Sequence, residues 1–304
     1  MTDIPTRRLV LAGVDGSLSA EHAVRWAALE AARRQVPLLL FHACYVPPTM
    51  PYVPVSLPRS YGDAVVEQGR AWLDDAERVA VRAAPTVAVR KDLRTGQAAD
   101  HLIRESASAG LVVLGSRGLG GFSGMLVGST AVALAAHGHC PVVVVRGRTP
   151  DDPPPETGPV VVGVDGSPDG DAAVEFGFEA AASRGAPLHA VHTWNDLSMS
   201  DTWSVAPLGL DYDRIAEDER RMLAERLSGW QHKYPDVRLV QHTIKERPAR
   251  GLLARAEGAQ LIVVGSRGLG GFRGMLVGST SQALLHHSKC PVAVVRPDRA
   301  VLAS

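Results

Sequence analysis

The chain has 304 residues, 32 basic and 32 acidic side chains, no formal net charge, 45% hydrophobic and 5% aromatic residues. A neutral chain lacks the basic footprint of a nucleic-acid binder, and no run reaches the roughly 20 apolar residues of a membrane span. At about 150 residues per domain, the length predicts two domains. The opening MTDIPTRRLVLAGVDGS reaches Asp15 too soon for the apolar core of a signal peptide, which predicts a cytoplasmic chain. Cys44, Cys140 and Cys290 form no CxxC pair and read as small buried hydrophobes in a reducing compartment.

In chain order, the apolar run 9–14 predicts a buried strand, followed by a helix over 19–34 that Ser17 or Ser19 can cap. Ala23, Trp26, Ala27 and Ala31 form its apolar stripe. A second strand is predicted over 37–43. Residues 45–63 are rich in Pro and Tyr and read as a long irregular loop of the kind that covers a site. A helix over 64–84, a strand near 86–93, a helix near 97–108 and a strand over 111–114 follow. A glycine-rich loop, a helix near 128–137 and a strand over 142–145 complete the first half. The second half repeats the order, with strands near 159–164, 187–193, 237–243, 261–264 and 292–295. Alternating strands and helices predict a parallel sheet with helices on both faces.

The halves are copies. LVVLGSRGLGGFSGMLVGST at 111–130 returns as LIVVGSRGLGGFRGMLVGST at 261–280, and GVDGS at 13–17 returns at 163–167. His42 returns as His192, and Cys140-Pro141-Val142 as Cys290-Pro291-Val292. Two domains over 1–146 and 159–304 are therefore expected, joined by a Pro- and acid-rich linker over 147–158. The last strands, VVVVR and VAVVR, would need a partner at a sheet edge, which predicts pairing of equivalent edges, between halves or in a homodimer.

The repeated loop has the layout of a phosphate grip. Glycine admits an anion with no Cβ in the way, and successive N–H groups form an anion-binding concavity. Gly128-Ser129-Thr130 adds the free N–H groups and partial positive charge of a helix start. Arg117 and Arg267 offer a cation. The loop is no Walker P-loop, since no Gly-Lys-[Ser/Thr] follows, and no GxGxxG turn, since Gly118-Leu119-Gly120 leads to Ser123. Ligands bind an open α/β sheet where the strand order reverses. If the first and fourth strands are neighbours, Asp15 and Gly115 flank that crevice. An acid there suits a ribose hydroxyl; it suits equally the turn in Asp-Gly-Ser. His42 and His192, at strand ends, are expected in the crevice wall. His137, His139, His286 and His287 sit at the ends of the last helices and balance their dipoles. No nucleophile elbow or HExxH is present, and no catalytic or metal-ligating residue is identified.

Gly115-x2-Gly118-x9-Gly128-Ser129 and Gly265-x2-Gly268-x9-Gly278-Ser279 resemble the nucleotide motif of universal stress proteins. Asp15 and the strand end His42-Ala43 also match that family, and the likeness spans the whole chain as two tandem copies of an actinobacterial, mycobacterial type. The resemblance implies, in each half, a doubly wound five-stranded parallel sheet of order 3-2-1-4-5 and pairing of fifth strands across a pseudo-twofold. It implies ATP, with Mg or Mn on its phosphates, bound by each copy. In the first, Gly13 and Asp15 would touch adenosine, Ala43 would offer backbone to adenine, and Gly115 would pack on ribose. Ser116, Arg117, Gly118, Gly120, Gly121, Gly128, Ser129 and Thr130 would surround the phosphates. In the second copy the positions are Gly163, Asp165, Thr193, Gly265, Ser266, Arg267, Gly268, Gly270, Gly271, Gly278, Ser279 and Thr280. Departures are Gly110 and Gln260, where the family often has Asp, and Glu246-Arg247-Pro248, where the first copy has Gly96. The covering loops 45–63 and 195–210 also differ, so unequal affinities are expected. The leading expectation is a cytoplasmic stress or regulatory module that binds ATP at two sites without turnover. The rivals are a slow ATPase or nucleotidyl-transfer enzyme, a cAMP or AMP receptor, and a purely structural dimerisation protein.

Overall fold

A computed structural model of the chain describes residues 9–45, 59–119, 127–149, 152–194, 212–269 and 277–297. It divides into the units Met1–Pro154 and Pro155–Ser304. In the first unit, β1 (Val10–Gly13) is followed by α1 (Leu18–Arg34), β2 (Leu38–Cys44), α2 (Arg59–Ala83) and β3 (Val89–Thr95). Then come α3 (Ala98–Glu105), β4 (Leu111–Gly115), α4 (Ser129–His137) and β5 (Val142–Val145). All neighbouring strands pair in parallel, in the order β3-β2-β1-β4-β5. Val10 lies opposite both Leu38 and Leu111. The strand order reverses between β1 and β4, as the family resemblance implies.

The second unit repeats this. Its elements are β6 (Val160–Gly163), α5 (Pro168–Arg184), β7 (Leu188–Trp194), α6 (Tyr212–Lys233) and β8 (Leu239–Lys245). They continue with α7 (Pro248–Arg255), β9 (Leu261–Gly265), α8 (Ser279–His287) and β10 (Val292–Val295). The parallel order is β8-β7-β6-β9-β10. Right-handed crossovers put α1 and α2 on one face of the first sheet and α3 and α4 on the other, and each pair packs together. The central strands β1, β4, β6 and β9 are apolar and buried almost throughout, because a sheet covered on both faces has no solvated side.

Ser17 caps α1, its hydroxyl accepting from the Ala20 N–H at 3.1 Å, and Ser167 caps α5 in the same way at 3.0 Å. The side chain of Ser19 lies elsewhere. Three element starts lie two or more residues from expectation. The helix predicted from residue 64 starts at Arg59, directly after the last proline of the preceding stretch, so residues 59–63 of the expected loop are helical; residues 46–58 of that loop and 195–210 of its counterpart lie outside the described residues. β3 and β8 begin at Val89 and Leu239. In each case a turn (Val87 N–H to the Ala84 carbonyl, Val237 N–H to the Tyr234 carbonyl) delays the strand. Among the described residues no helix is long and apolar enough to cross a membrane. The three cysteines are free and buried, and burial pushes the Cys44 thiol up from its ordinary pKa.

Candidate functional site

The crevice lies where β1 and β4 end side by side. Asp15, two residues past β1, accepts three hydrogen bonds. Its Oδ1 takes the Ser17 N–H at 3.0 Å and the Ser17 hydroxyl at 2.7 Å. Its Oδ2 takes the N–H of Leu119, inside the glycine loop, at 3.1 Å. Asp165 repeats this with Ser167 at 3.0 and 2.7 Å and Leu269 at 3.2 Å. Asp15 thus forms the Asp-Gly-Ser turn, and it also holds down a loop 104 residues away. That second partner was not visible in the sequence. In this arrangement both carboxylate oxygens are engaged by the protein.

Gly118 and Gly268 exist because of this clamp. A Cβ on either would stand 2.4 Å from Oδ2 of Asp15 or Asp165. Gly115 and Gly265 serve packing, since a Cβ there would meet backbone of Ser19 at 2.7 Å or Asp169 at 2.8 Å. Gly13 is likewise closed off by Leu114, 2.5 Å from where its Cβ would stand. The missing side chains of Gly13 and Gly115 therefore make room for protein. Gly163 is looser, with Leu252 and Val264 each at 3.2 Å. Gly128 and Gly278 are different again. Their backbone is ordinary, at φ −68° and −64°, and an added Cβ would meet nothing closer than 3.7 and 3.4 Å. Their N–H groups donate to the carbonyls of Ser116 and Ser266, each at 2.8 Å.

Each of these glycines is the N-cap of α4 or α8, and neither offers a side chain to the helix. The next three N–H groups, of Ser129, Thr130 and Ala131, therefore lack an intrahelical partner. Ser129 and Ser279 are exposed. Arg117 adds a further unmet donor, because its Nε is buried and has no partner among the described residues. Ser116 and Ser266 are fully buried, and their hydroxyls face Ser19 Oγ at 3.4 Å and Asp169 Oδ2 at 2.6 Å. Gly120, Gly121, Gly270 and Gly271 lie outside the described residues.

His42 and His192 do line the strand ends. Their Nδ1 atoms lie 2.7 and 2.8 Å from the carbonyls of Val14 and Val164. His42 meets Trp72 edge-on at 5.3 Å, whereas His192 Nε2 is 2.9 Å from Glu219. Ala43 and Thr193 follow them in β2 and β7, and Thr193 packs where Gly251 of α7 leaves space.

The copies differ at one position that the sequence reading missed. Ser19 in the first is Asp169 in the second. Ser19 Oγ accepts the Arg117 N–H at 3.3 Å, while Asp169 Oδ2 accepts the Arg267 N–H at 3.1 Å in addition to the Ser266 hydroxyl. The second loop thus carries a half-buried carboxylate at its root. Laying the two copies side by side at their constant offset shows the substitution directly.

The model of the universal stress protein family matches residues 6–146 and again 156–296. A universal stress protein of Mycobacterium tuberculosis strain H37Rv is 38% identical over 291 residues, covering 94% of this chain and 96% of that protein. One from Mycolicibacterium smegmatis is 37% identical over 306 residues, covering 98% and 100%. Among solved structures, a universal stress protein from Archaeoglobus fulgidus superposes with a TM-score of 0.67 at 20% identity, covering 96% of this chain and 97% of that one.

Proposed function

We propose that this chain, which belongs to the universal stress protein family and carries its domain twice in tandem, is a cytoplasmic stress or regulatory module that binds one ATP in each copy. The observation that carries the reading is the set of unmet donors at the end of β4. Buried Arg117 Nε lacks a partner among the described residues, and α4 opens beside it on a glycine with no side-chain cap. Buried donors left unpaired cost about 1–3 kcal/mol each, and a phosphate chain has acceptors enough for all of them. It also suits the positive end of a helix. The absence of a Cβ at Gly128 supports the same placement, since phosphate can approach the backbone there.

In this reading Asp15 shapes the phosphate loop from below. Its reach to ribose would require exchanging the Leu119 N–H for a ribose hydroxyl. Mg or Mn would ride on the phosphates, held chiefly by the nucleotide. The module binds ATP without turning it over, and it assembles as a homodimer through its sheet edges.

Asp169 makes the two sites unequal. A carboxylate within a few ångströms of an incoming phosphate costs about 1 kcal/mol or more at a partly solvated site, so the second copy is expected to bind ATP roughly tenfold more weakly. Asp169→Ser should bring the two affinities together. Calorimetric titration of both proteins checks this, and indistinguishable sites in the unsubstituted chain would contradict it. Titrating AMP and cAMP against bound ATP tests the nucleotide itself: ATP should resist displacement by either, and cAMP displacing it at equal concentration would refute the assignment.

A further inference from the structure

Outside the crevice, the outer part of the second sheet carries a concentration of basic groups that the nucleotide site does not use. Its edge strand β8 and the helices beside it flank an open cavity of about 320 Å³ lined by Arg220, His242 and Arg255, with Gln241, Thr243 and Ile244. The His242 ring stands 5.1 Å from that of His189 on β7. His242 Nε2 is buried and has no hydrogen-bond partner among the described residues. No acidic side chain lines the cavity.

The first copy supplies an internal comparison. At the position of His242 it has Asp92, at Ile244 it has Arg94, and at Arg255 it has Glu105. There Arg94 bridges Asp92 and Glu105, each at 2.7 Å. His189 and Arg238 correspond to Leu39 and Ala88. One copy thus closes this corner with a neutralising ion-pair network. The other removes both carboxylates and the arginine between them and brings in two imidazoles and two guanidiniums. The change reverses the sign of the corner as a whole, and exposed guanidiniums gathered without a carboxylate beside a cleft favour an anion there.

We propose that this corner of the second copy is a binding site for a phosphate group, free or as the monoester of a small metabolite, separate from the ATP sites. Arginine matches phosphate with its planar fork of donors. His242 adds an imidazole at the cavity wall, with the His189 ring 5.1 Å from it. The volume lies at the lower end of small-molecule sites, enough for a phosphate with a short organic part.

The rings supply a local reporter. Burial, together with Arg238 and Arg255, lowers the pKa of His189 below its ordinary value, and burial, Arg255 and His189 lower that of His242. These are the charged groups acting on the pair, with Arg220 at the cavity wall. Because the folded pKa lies below the unfolded one, the unfolded chain takes up these protons first as pH falls. Stability from this corner is therefore complete above about pH 6.5 and is lost as pH falls toward the folded values. A bound phosphate reverses the sign of the effect on the rings and raises both pKa values.

The test is a histidine-ring NMR titration of the full chain with inorganic phosphate and, separately, with glycerol phosphate, at fixed ionic strength. The His189 and His242 signals are expected to move and saturate, and their ring pKa values to rise. Arg255→Glu, which restores the acidic residue type of the first copy, should weaken binding at least tenfold, as expected for loss of a charge-assisted contact. Arg220→Ala provides a milder variant, and the thermal transition of each checks folding. Tighter binding of the ester identifies a phosphorylated metabolite, and equal binding identifies inorganic phosphate. Ring signals that stay put throughout, or an undiminished response in folded Arg255→Glu and Arg220→Ala, would overturn the proposal.

Discussion

Alanine at both Gly118 and Gly268 is expected to lower ATP affinity about 100-fold while leaving the protein folded. The new Cβ would stand 2.4 Å from Oδ2 of Asp15 and Asp165, so the carboxylate must swing away and release the Leu119 or Leu269 N–H. The loop then loses its anchor, and the contacts between backbone and phosphate, worth roughly 1.5–3 kcal/mol each to a charged group, fall out of register. The conflict is with the end of a side chain, so the sheet should survive. Calorimetry for ATP and a urea melt for the fold read the two effects apart. Gly128→Ala with Gly278→Ala is the companion: these positions have ordinary φ and an added Cβ would make only ordinary contacts with the described residues, so the fold should survive, with about 1 kcal/mol lost at each N-cap where alanine replaces glycine. Lost affinity in that variant puts phosphate against the helix start, and retained affinity removes it from there.

Asp15→Asn with Asp165→Asn should have the next largest effect. An amide oxygen can still accept from Ser17 or Ser167 and keep the turn. The amide nitrogen, facing Leu119 or Leu269, presents a donor to a donor. Each copy loses one charge-assisted bond and gains a mismatch, at a cost of about 1–3 kcal/mol in stability. ATP affinity should fall with it, because the same bond fixes the loop. Denaturant midpoints and ATP isotherms of the variant give both numbers. Full stability combined with unchanged affinity would show that the clamp does not shape the site.

The strand order came from the family resemblance, whereas the elements were legible because each buried strand is a short apolar run and each helix has its own stripe, and because the whole pattern occurs twice. The glycine loop was legible for the same reason. The roles within it were less so. Gly13, Gly115 and Gly118 look alike in sequence, yet Gly13 makes room for Leu114, Gly115 for the backbone of Ser19, and Gly118 for the Asp15 carboxylate. Only the fold brings those neighbours close. The bond from Asp15 to Leu119 spans 104 residues and has no local signature. The α2 start was misplaced because Pro and Tyr obscured the point at which helical sequence resumes. The Ser19/Asp169 difference, by contrast, needed no structure, only the alignment of one half on the other. His242, Arg238 and Arg255 carried no signal until the topology set β8 beside β7 and α7 near both.

The central claim is that each copy holds one ATP. The direct measurement is equilibrium dialysis of nucleotide-stripped protein against labelled ATP with Mg, followed to saturation and repeated with the Gly118→Ala, Gly268→Ala variant. The account predicts close to two ATP per chain, with the first site filling before the second. At about 100 times the dissociation constant, each filled copy should gain roughly 2.7 kcal/mol of stability. A chain that binds no ATP, or that binds it equally well once the glycine loops carry alanine, would contradict the account.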